Sequence, residues 1–342
     1  MKSKRVAVLG AGAWGKNHVR TFDRLAGDAG LYMVIDPNQK VLDNLKRDYP
    51  RTRFTTRLED VVEDPDVDAV VVASPVPTHG EMTRRMLEAG KHVLVEKPMV
   101  RSHKEALELV ELAEEKNLRL MVGHLLLYHP ATSYLKQMVE SNELGEIYYA
   151  YSHRLNLGKV RPDENAMWSF APHDLSVILY LFDESPVMVS ATGASFLQKG
   201  IQDVSFLNLQ FASGRVANVH VSWLDPHRSR FFTVVGSQKM VVFDDTHATE
   251  KIRVYDKGID VKDDYKSFGE YLALRHGDVN LPLLSSKEPL REECLHFLSC
   301  IESGARPLTD GRSTLEIIRV LEAADESMQR GGVPISLTGD SN

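Results

Sequence analysis

A chain of 342 residues is too long for one ordinary hydrophobic core and fits two domains. Its 43% hydrophobic and 26% charged residues are typical of a soluble globular protein. A formal net charge of −7, without a Lys/Arg-rich run, argues against a nucleic-acid or anionic-membrane surface.

Cysteines and histidines predict neither a disulfide framework nor a metal site. Cys294 and Cys300 are the two cysteines, and we expect both to be buried thiols. The histidines are scattered rather than set at ligand spacing. The start of the chain has too short an apolar run for a signal peptide, and no stretch approaches a membrane span, so we expect a cytoplasmic protein.

Residues 1–123 alternate short β-branched runs with amphipathic segments. The runs are RVAVLG, LYMVID, DAVVVAS, KHVLVE and RLMVG. Continuous apolar runs of this length suit strands that are buried on both faces, with helices as the crossovers of a parallel sheet. The pattern predicts an α/β domain with a doubly wound parallel sheet, in which Ser102 and Glu105 form the capping box of one crossover helix.

Residues 124–342 have a different pattern, with alternating strand-like runs and turns at ASGR and GSQK. We predict an α+β domain with a large, mainly antiparallel, open-faced sheet. Helices at about 130–141, 172–182, 287–303 and 313–329 are expected to cover one face of it. The other face needs a partner, which predicts a homodimer or homotetramer formed through this sheet.

The segment VLGAGAWG contains a G-x-G-x-x-G motif, with Gly10, Gly12 and Gly15 between a predicted strand and a helix. The first glycine permits a tight turn, the second lets a pyrophosphate approach the backbone, and the third lets the helix pack on the strand. Asp36 follows the next strand, where a carboxylate can bind the adenosine ribose and would repel the extra phosphate of NADP. We therefore predict a Rossmann domain that prefers NAD. Asp36 has an alternative role as the N-cap of a helix that begins at Pro37.

After the fifth strand comes VEKPMV, and with it the chain resembles the Gfo/Idh/MocA family of NAD(P)-dependent sugar oxidoreductases. The resemblance also includes SPVPTH after strand four, the HP at the start of the second domain, and a histidine in NAMWSFAPHD. It implies that Lys97 lies beside the nicotinamide and substrate and that His173 is the acid/base. The cofactor contacts that follow are Gly10, Gly12, Ala13, Trp14, Gly15, Asp36, Ser74, Pro75, His79, Glu96 and Lys97.

Lys97, His79 and His173 each have an alternative role that their residue types and positions leave open. Lys97 is otherwise a solvated surface lysine, and its bond to Pro98 is either cis or trans. His79 is equally a residue at the start of a helix. His173 follows Pro172 at a predicted helix start, whose positive end would keep the ring a neutral base, whereas Asp174 would favour the charged ring. Otherwise His173 is a packed or capping residue.

The segment HRLNLGKVRPDENAMWSFAPHD resembles a subgroup that acts on nucleotide-activated amino sugars, such as the UDP-N-acetylglucosamine 3-dehydrogenases. Arg154 and Arg161 would pair with a diphosphate, Asn156 and Asn165 would bond to sugar groups, and Trp168 would stack on a sugar face. The alternative for Arg154 is a strand salt bridge, and for Trp168 it is the domain interface.

The leading hypothesis is an NAD-dependent dehydrogenase that oxidises a secondary hydroxyl, at C3, of a UDP-amino sugar. The substrate is alternatively a uronic-acid nucleotide sugar, a free sugar or an inositol. A regulatory protein that binds NAD on the same fold is the non-enzymatic alternative, although such a protein has no need of the pair Lys97 and His173.

Overall fold

The computed structural model describes residues 4–25, 30–158, 160–162, 164–261 and 272–338. The chain divides into two compact units. Unit 1 comprises Met1–Tyr128 and Lys287–Ile318, and unit 2 comprises His129–Ser286 and Arg319–Asn342. The chain therefore leaves unit 1 after Tyr128, returns to it at Lys287 and leaves it again after Ile318.

Unit 1 contains a six-stranded parallel sheet in the order β3-β2-β1-β4-β5-β6. Its elements in chain order are β1 (Arg5–Leu9), α1 (Gly15–Arg24), β2 (Gly30–Ile35), α2 (Gln39–Lys46), β3 (Arg53–Thr55), α3 (Glu59–Val62), β4 (Ala69–Val72), α4 (His79–Glu88), β5 (His92–Val95), α5 (His103–Glu115), β6 (Leu120–Val122) and α8 (Pro289–Ser303). Two 3₁₀ turns, Val76–Thr78 and Leu125–Tyr128, accompany them. The strand order reverses between β1 and β4, which makes this neighbourhood the switch point of a doubly wound fold.

The five predicted strands of this domain are confirmed as β1, β2, β4, β5 and β6, and Ser102 caps α5 by accepting from the backbone N–H of Glu105. Strand β3 was not predicted. It has three residues at the edge of the sheet and an exposed arginine, so it carries no continuous apolar run.

Helix α8 belongs to unit 1, which corrects the prediction that it covers the second sheet. Leu290, Cys294, Phe297 and Ile301 share one core with buried residues of β1, β2, β4 and α1. Their spacing of three and four places them on one helix face. The spacing defines the buried face but not the sheet that this face packs against.

Unit 2 contains a nine-stranded sheet in the order β14-β13-β12-β11-β7-β10-β9-β8-β15. Its elements are α6 (Pro130–Glu140), β7 (Ile147–Leu155), α7 (Ala166–Phe182), β8 (Pro186–Ala194), β9 (Val204–Phe211), β10 (Val216–Ser222), β11 (Ser229–Gly236), β12 (Met240–Asp244), β13 (Ile252–Val261), β14 (Leu272–Asn280) and β15 (Ile335–Ser336). Helix α9 (Gly311–Gln329) contributes residues to both units. All the strand pairs are antiparallel except β7 with β10, and the two predicted hairpins are present as β9–β10 and β11–β12.

Helix α7 begins at Ala166, six residues before the predicted start, so Pro172 lies inside the helix. Asn165 is the N-cap, and its side-chain oxygen accepts from the backbone N–H of Trp168 at 2.9 Å. A proline within a helix removes one backbone hydrogen bond and costs about 3 kcal/mol. Most residues of α7 are buried, and this burial offsets the cost. The argument that a helix N-terminus keeps His173 neutral is therefore wrong.

Helix α7 packs on β7, β9 and β10, which leaves aromatic side chains on the opposite face of these strands. Tyr149 stacks with Tyr151, Tyr151 contacts His153, and His153 meets His220 edge-on with ring centroids 5.6 Å apart. Phe206 stacks on His220 at 4.2 Å. We call this row of five rings the aromatic face. Tyr149 is 40% exposed and Phe206 is 42% exposed within the chain.

Candidate active site

The glycine loop joins β1 to α1, and each glycine has a separate steric reason. Gly10 has φ +91°, and a Cβ on it would lie 2.7 Å from the carbonyl oxygen of Ala73. A Cβ on Gly15 would lie 1.9 Å from the carbonyl oxygen of Gly10, so only glycine lets α1 approach the strand this closely. A Cβ on Gly12 would meet nothing within 4 Å, so Gly12 leaves the loop backbone open to a ligand.

The start of α1 suits an anionic group. Gly12, Ala13 and Trp14 are exposed, and no acidic residue occupies the first turn of this described helix. The N-terminus of a helix carries a partial positive charge and orphan N–H groups, which favour phosphate. The open loop and the uncapped helix start therefore fit the pyrophosphate of a dinucleotide.

Asp36 lies at the end of β2 and faces the glycine loop. Its Oδ2 accepts from the N–H of Ala11 at 2.8 Å, and its Oδ1 accepts from the N–H of Asn38 at 2.9 Å. The N-cap of α2 is Asn38, so the alternative role of Asp36 as a helix cap is wrong. The carboxylate is thus held at the edge of the loop, where the ribose of a dinucleotide binds in this fold.

The loops after β4 and β5 are joined by His79. His79 is the first residue of α4 and is 1% exposed. Its two ring nitrogens lie 2.8 Å from the carbonyl oxygens of Ser74 and Pro98. The hydroxyl groups of Ser74 and Thr78 are 2.7 Å apart, and Pro75 is exposed beside them. His79 thus joins the SPVPTH segment to the Lys97–Pro98 turn, whose peptide bond is cis.

Glu96 connects the end of β5 to the glycine loop. Its carboxylate accepts from the indole N–H of Trp14, lies 2.7 Å from Nε2 of His18, and accepts from the N–H of Lys97 at 3.3 Å. Burial opposes its ionisation, but the hydrogen bonds from His18 and Trp14 and the charge of Lys97 lower the pKa of Glu96 overall. Glu96 is therefore an ionised carboxylate beside the predicted cofactor site.

Lys97 follows directly and acts electrostatically on His124. Burial lowers the pKa of His124 to about 4, and the positive charge of Lys97 contributes to that shift. One ring nitrogen of His124 lies 3.2 Å from the hydroxyl of Thr314. His124 is therefore neutral at physiological pH, which suits a position next to a lysine ammonium group.

Sequence reasoning missed Glu293 on α8. Its side chain is fully buried, and both carboxylate oxygens have no hydrogen-bond partner. Burial raises the pKa of Glu293 well above its usual range, and the charge of Glu96 raises it further. A signal was present, because Glu293 lies on the same helix face as Leu290 and Phe297 in an otherwise apolar stripe.

In unit 2, the guanidinium group of Arg154 forms two hydrogen bonds to Asp174, both 2.9 Å long. Arg154 is 8% exposed and Asp174 is 2% exposed. Burial opposes the charge of Arg154, but Asp174 raises the pKa of the guanidinium group overall. This bidentate pair fixes β7 to α7 and corresponds to the salt bridge that the sequence left open for Arg154.

Other predicted substrate residues also have partners within unit 2. The Nδ2 group of Asn165 donates to Gln202 and Asp325, and the indole N–H of Trp168 donates to Asp325 at 2.6 Å. Arg161 lies 2.8 Å from the buried carboxylate of Glu164. Substrate contacts by Asn165, Trp168 and Arg161 remain predictions.

Asn156 and His173 lie in unit 2 at different elements. Asn156 follows β7, and its Oδ1 is buried without a hydrogen-bond partner. His173 is half-buried in the second turn of α7, and its backbone carbonyl accepts from the hydroxyl of Ser176 at 2.8 Å. Their roles toward substrate also remain predictions.

Clusters of metal-ligating side chains and membrane-spanning helices are both absent from the part of the chain that the structure describes. Those residues contain no group of three or more His, Cys, Asp or Glu that could hold a metal ion. None of the described helices is both long enough and apolar enough to cross a bilayer. Cys294 and Cys300 are buried free thiols, as predicted.

A doubly wound parallel sheet with this glycine loop at its switch point defines a dinucleotide-binding protein of the Rossmann class. Two family models match the chain. The first, an oxidoreductase family with an NAD-binding Rossmann fold, matches residues 4–124, and the GFO/IDH/MocA C-terminal domain matches residues 132–242. The chain belongs to the Gfo/Idh/MocA family of oxidoreductases, which confirms the resemblance, the fold class and the NAD cofactor.

Similar proteins cover almost the whole chain. The scyllo-inositol 2-dehydrogenase (NAD(+)) of Bacillus subtilis is 26% identical over 97% of this chain and 96% of its own length. The UDP-N-acetylglucosamine 3-dehydrogenase GnnA from Acidithiobacillus ferrooxidans has a TM-score of 0.80 at 23% identity and covers 96% of this chain and 99% of its own. The WlbA dehydrogenase from Bordetella pertussis, solved with NADH and UDP-GlcNAcA, has a TM-score of 0.79 at 20% identity, covering 99% and 100%. These two structures share the fold.

Proposed function

We propose that the protein is an NAD-dependent dehydrogenase that oxidises a secondary hydroxyl, at C3, of a nucleotide-activated amino sugar such as UDP-N-acetylglucosamine. The observation that carries the proposal is the open glycine loop connected through Glu96 to the backbone of Lys97. The shared fold supports the substrate class, because GnnA is named a UDP-N-acetylglucosamine 3-dehydrogenase and WlbA was solved with UDP-GlcNAcA.

When bound at the glycine loop, NAD would supply the hydride acceptor for the carbon that bears the hydroxyl group. In our proposal, His173 takes the proton of that hydroxyl as the base, and Lys97 donates a hydrogen bond that stabilises the developing alkoxide. Glu96 and His79 position Lys97, the former at its backbone N–H and the latter through Pro98. The Arg154–Asp174 pair holds the helix that carries His173.

For the nucleotide sugar we propose Arg161 as a partner of the diphosphate, because its guanidinium group is 47% exposed while the buried Glu164 orients it. Asn156 offers a buried acceptor for a sugar hydroxyl or acetamide. Arg154, Asn165 and Trp168 complete the proposed set, although the observed partners of these three also serve the fold.

A second candidate is an inositol dehydrogenase, which the similarity to scyllo-inositol 2-dehydrogenase over 97% of the chain favours. Both candidates remove a hydride from a ring carbon that bears a secondary hydroxyl, so the same proposed pair serves both. A uronic-acid nucleotide sugar and a free sugar are further alternatives. A regulatory NAD-binding protein would show no turnover with any of them.

The test is to incubate the purified protein with NAD+ and a panel of substrates while following NADH absorbance. The panel contains UDP-N-acetylglucosamine, its uronic acid, myo-inositol, scyllo-inositol and glucose. We expect turnover with UDP-N-acetylglucosamine and weaker turnover with NADP+. Because tightly bound NADH can block turnover, a keto-acid acceptor is added in a parallel reaction. Turnover with inositol alone would favour the second candidate.

Variants then test the roles of His173 and Lys97. We expect His173→Asn and Lys97→Met each to lower kcat by about 100-fold or more, with NAD+ affinity changed little in His173→Asn. Ser169→Ala, one turn before His173 on α7, serves as a control for local damage to the helix. Unchanged kcat in His173→Asn would refute its role as the base.

A further inference from the structure

Glu293 is a buried acid that the proposed reaction does not use. Its side chain is 0% exposed, and both of its oxygens lack a hydrogen-bond partner. A buried polar group without a partner costs stability, so its retention indicates another task. The burial of this unpartnered carboxyl group therefore requires an explanation.

Glu96 is reached from α8 through His18: the thiol of Cys294, next to Glu293, lies 3.9 Å from Nδ1 of His18, whose Nε2 lies 2.7 Å from Glu96. The charge of Glu96 also raises the pKa of Glu293. Glu96 also accepts from Trp14 of the glycine loop and lies at the N–H of Lys97. Two carboxyl groups that share a buried site do not both ionise readily, so the pair holds one proton and one negative charge. Glu96 has the hydrogen-bond donors and carries the charge, and Glu293 carries the proton.

Two groups near the pair, Tyr128 and Cys294, do not exchange this proton. Burial raises the pKa of Tyr128 and of Cys294, so both are neutral at physiological pH. His18 contacts Glu96 through one ring nitrogen and lies 3.9 Å from the thiol of Cys294 through the other. His18, and to a smaller extent Lys97, lower the pKa of Glu96.

We propose that the Glu96–Glu293 pair is a proton-binding site linked to the oxidation state of the cofactor. The pair keeps its proton in the free protein and with NADH, and it releases the proton to solvent when NAD+ binds. The physical reason is charge, because the oxidised nicotinamide ring is positive and the reduced ring is neutral. A positive charge near the pair favours ionisation of both carboxyl groups.

The two nucleotides share the same pyrophosphate and adenosine, so the difference between them isolates the ring charge. The affinity for NAD+ relative to NADH should therefore rise with pH, by up to about ten-fold per pH unit for one proton. This inference rests on the proposed function only through NAD binding and does not depend on the identity of the sugar.

The experiment is calorimetric titration of NAD+ and NADH into the protein, in buffers of different ionisation enthalpy, to count released protons. We expect the wild type to release more protons with NAD+ than with NADH, and Glu293→Gln to reduce that difference at least five-fold. Phe297→Leu is the control, because Phe297 is equally buried one turn along α8 and carries no proton. An undiminished difference in Glu293→Gln, or none in the wild type, overturns the proposal.

Infrared spectroscopy of the wild type covers the case in which Glu293→Gln does not fold. The carbonyl band of an un-ionised carboxylic acid should lose intensity when NAD+ is added and keep it when NADH is added. Equal bands with both nucleotides overturn the proposal. If the proton difference is present but the panel of sugars gives no turnover, the proposed substrate is wrong and the proton site stands.

Discussion

Asp174 and Glu293 are two buried carboxyl groups whose surroundings favour opposite charge states. Asp174 is bound by both arms of the Arg154 guanidinium group, so its charge is compensated inside unit 2. Glu293 has no hydrogen-bond partner among the described residues, and burial raises its pKa. It therefore remains a neutral acid, and no unpaired charge is buried. The two residues therefore predict different responses to substitution and to pH.

For Glu293 the prediction concerns the pH dependence of stability. The unfolded chain ionises this glutamate near its usual pKa of 4.5, whereas the folded protein keeps the proton. Above that pH the folded state is disfavoured by about 1.4 kcal/mol per pH unit, until the raised pKa is reached. Glu293→Gln has no proton to lose. The free energy of unfolding of this variant, relative to that of the wild type, should therefore increase as pH rises. Urea unfolding between about pH 5 and 8 measures this difference, and a constant difference would contradict a neutral Glu293.

For Arg154 the prediction concerns an orphaned charge. Arg154→Met leaves the Asp174 carboxylate buried without its partner, and we expect a loss of about 3–5 kcal/mol in the free energy of unfolding. The double variant Arg154→Met with Asp174→Leu should recover most of this loss, because both charges are then gone. Guanidinium unfolding of the single and double variants gives the coupling energy. A raised KM in a stable double variant would support substrate binding by Arg154. A loss of less than about 1 kcal/mol of unfolding free energy in Arg154→Met would contradict a stabilising Arg154–Asp174 ion pair.

At the scale of elements, α7 shows how a cap and burial together override a proline. Asn165 begins the helix, and the apolar residues that follow are packed against β7, β9 and β10, so the chain remains helical through Pro172. His173 is thereby moved from the end of a helix into its second turn. Its environment is consequently set by the neighbouring side chains and not by the helix dipole.

Asn165 allows the structural and the substrate roles to be separated. Asn165→Ala removes the cap and should cost about 1 kcal/mol of stability, whereas Asn165→Ser restores a capping oxygen and most of that loss. Both variants remove the amide, so a sugar contact by Asn165 would raise KM in both. Thermal unfolding and steady-state kinetics of the two variants provide the comparison. Equal stability of Ala and Ser variants would contradict the capping role.

At the scale of the whole molecule, the aromatic face of unit 2 is the feature without a covering element in the described chain. Each of its five rings contacts the next in the row, and Tyr149 and Phe206 are partly exposed. We propose that a second copy of the chain covers this face, in a homodimer or homotetramer. An exposed apolar patch that packs against its own copy is the usual basis of a symmetric dimer.

Sedimentation measurements test this assembly. We expect the wild type to sediment as a dimer or tetramer at micromolar concentration and the double variant Tyr149→Lys with Phe206→Lys to sediment as a monomer, because buried ammonium groups oppose association. Leu283→Lys, at a 99% exposed position outside this sheet, is the control for added charge. A monomeric wild type would contradict the proposal.

The features that the sequence determined depend on residues that are near one another in the chain. The glycine loop depends on Gly10, Gly12 and Gly15, which lie within six residues of one another and set the backbone of the loop locally. Continuous apolar runs predicted five of the six strands in the sheet of unit 1, and turns predicted the two hairpins of unit 2. These signals are local, since the backbone geometry of a turn or a buried strand is set within a few residues.

Tertiary structure alone decided which distant residues meet. It packed α8 in unit 1, bound Arg154 to Asp174 across two elements, and left Glu293 without a partner near Glu96. Cys294 and His18 are in contact although 276 positions separate them in the sequence. The physical reason is that an apolar stripe specifies which face of an element is buried, whereas the identity of the surface that covers it depends on the packing of the whole unit.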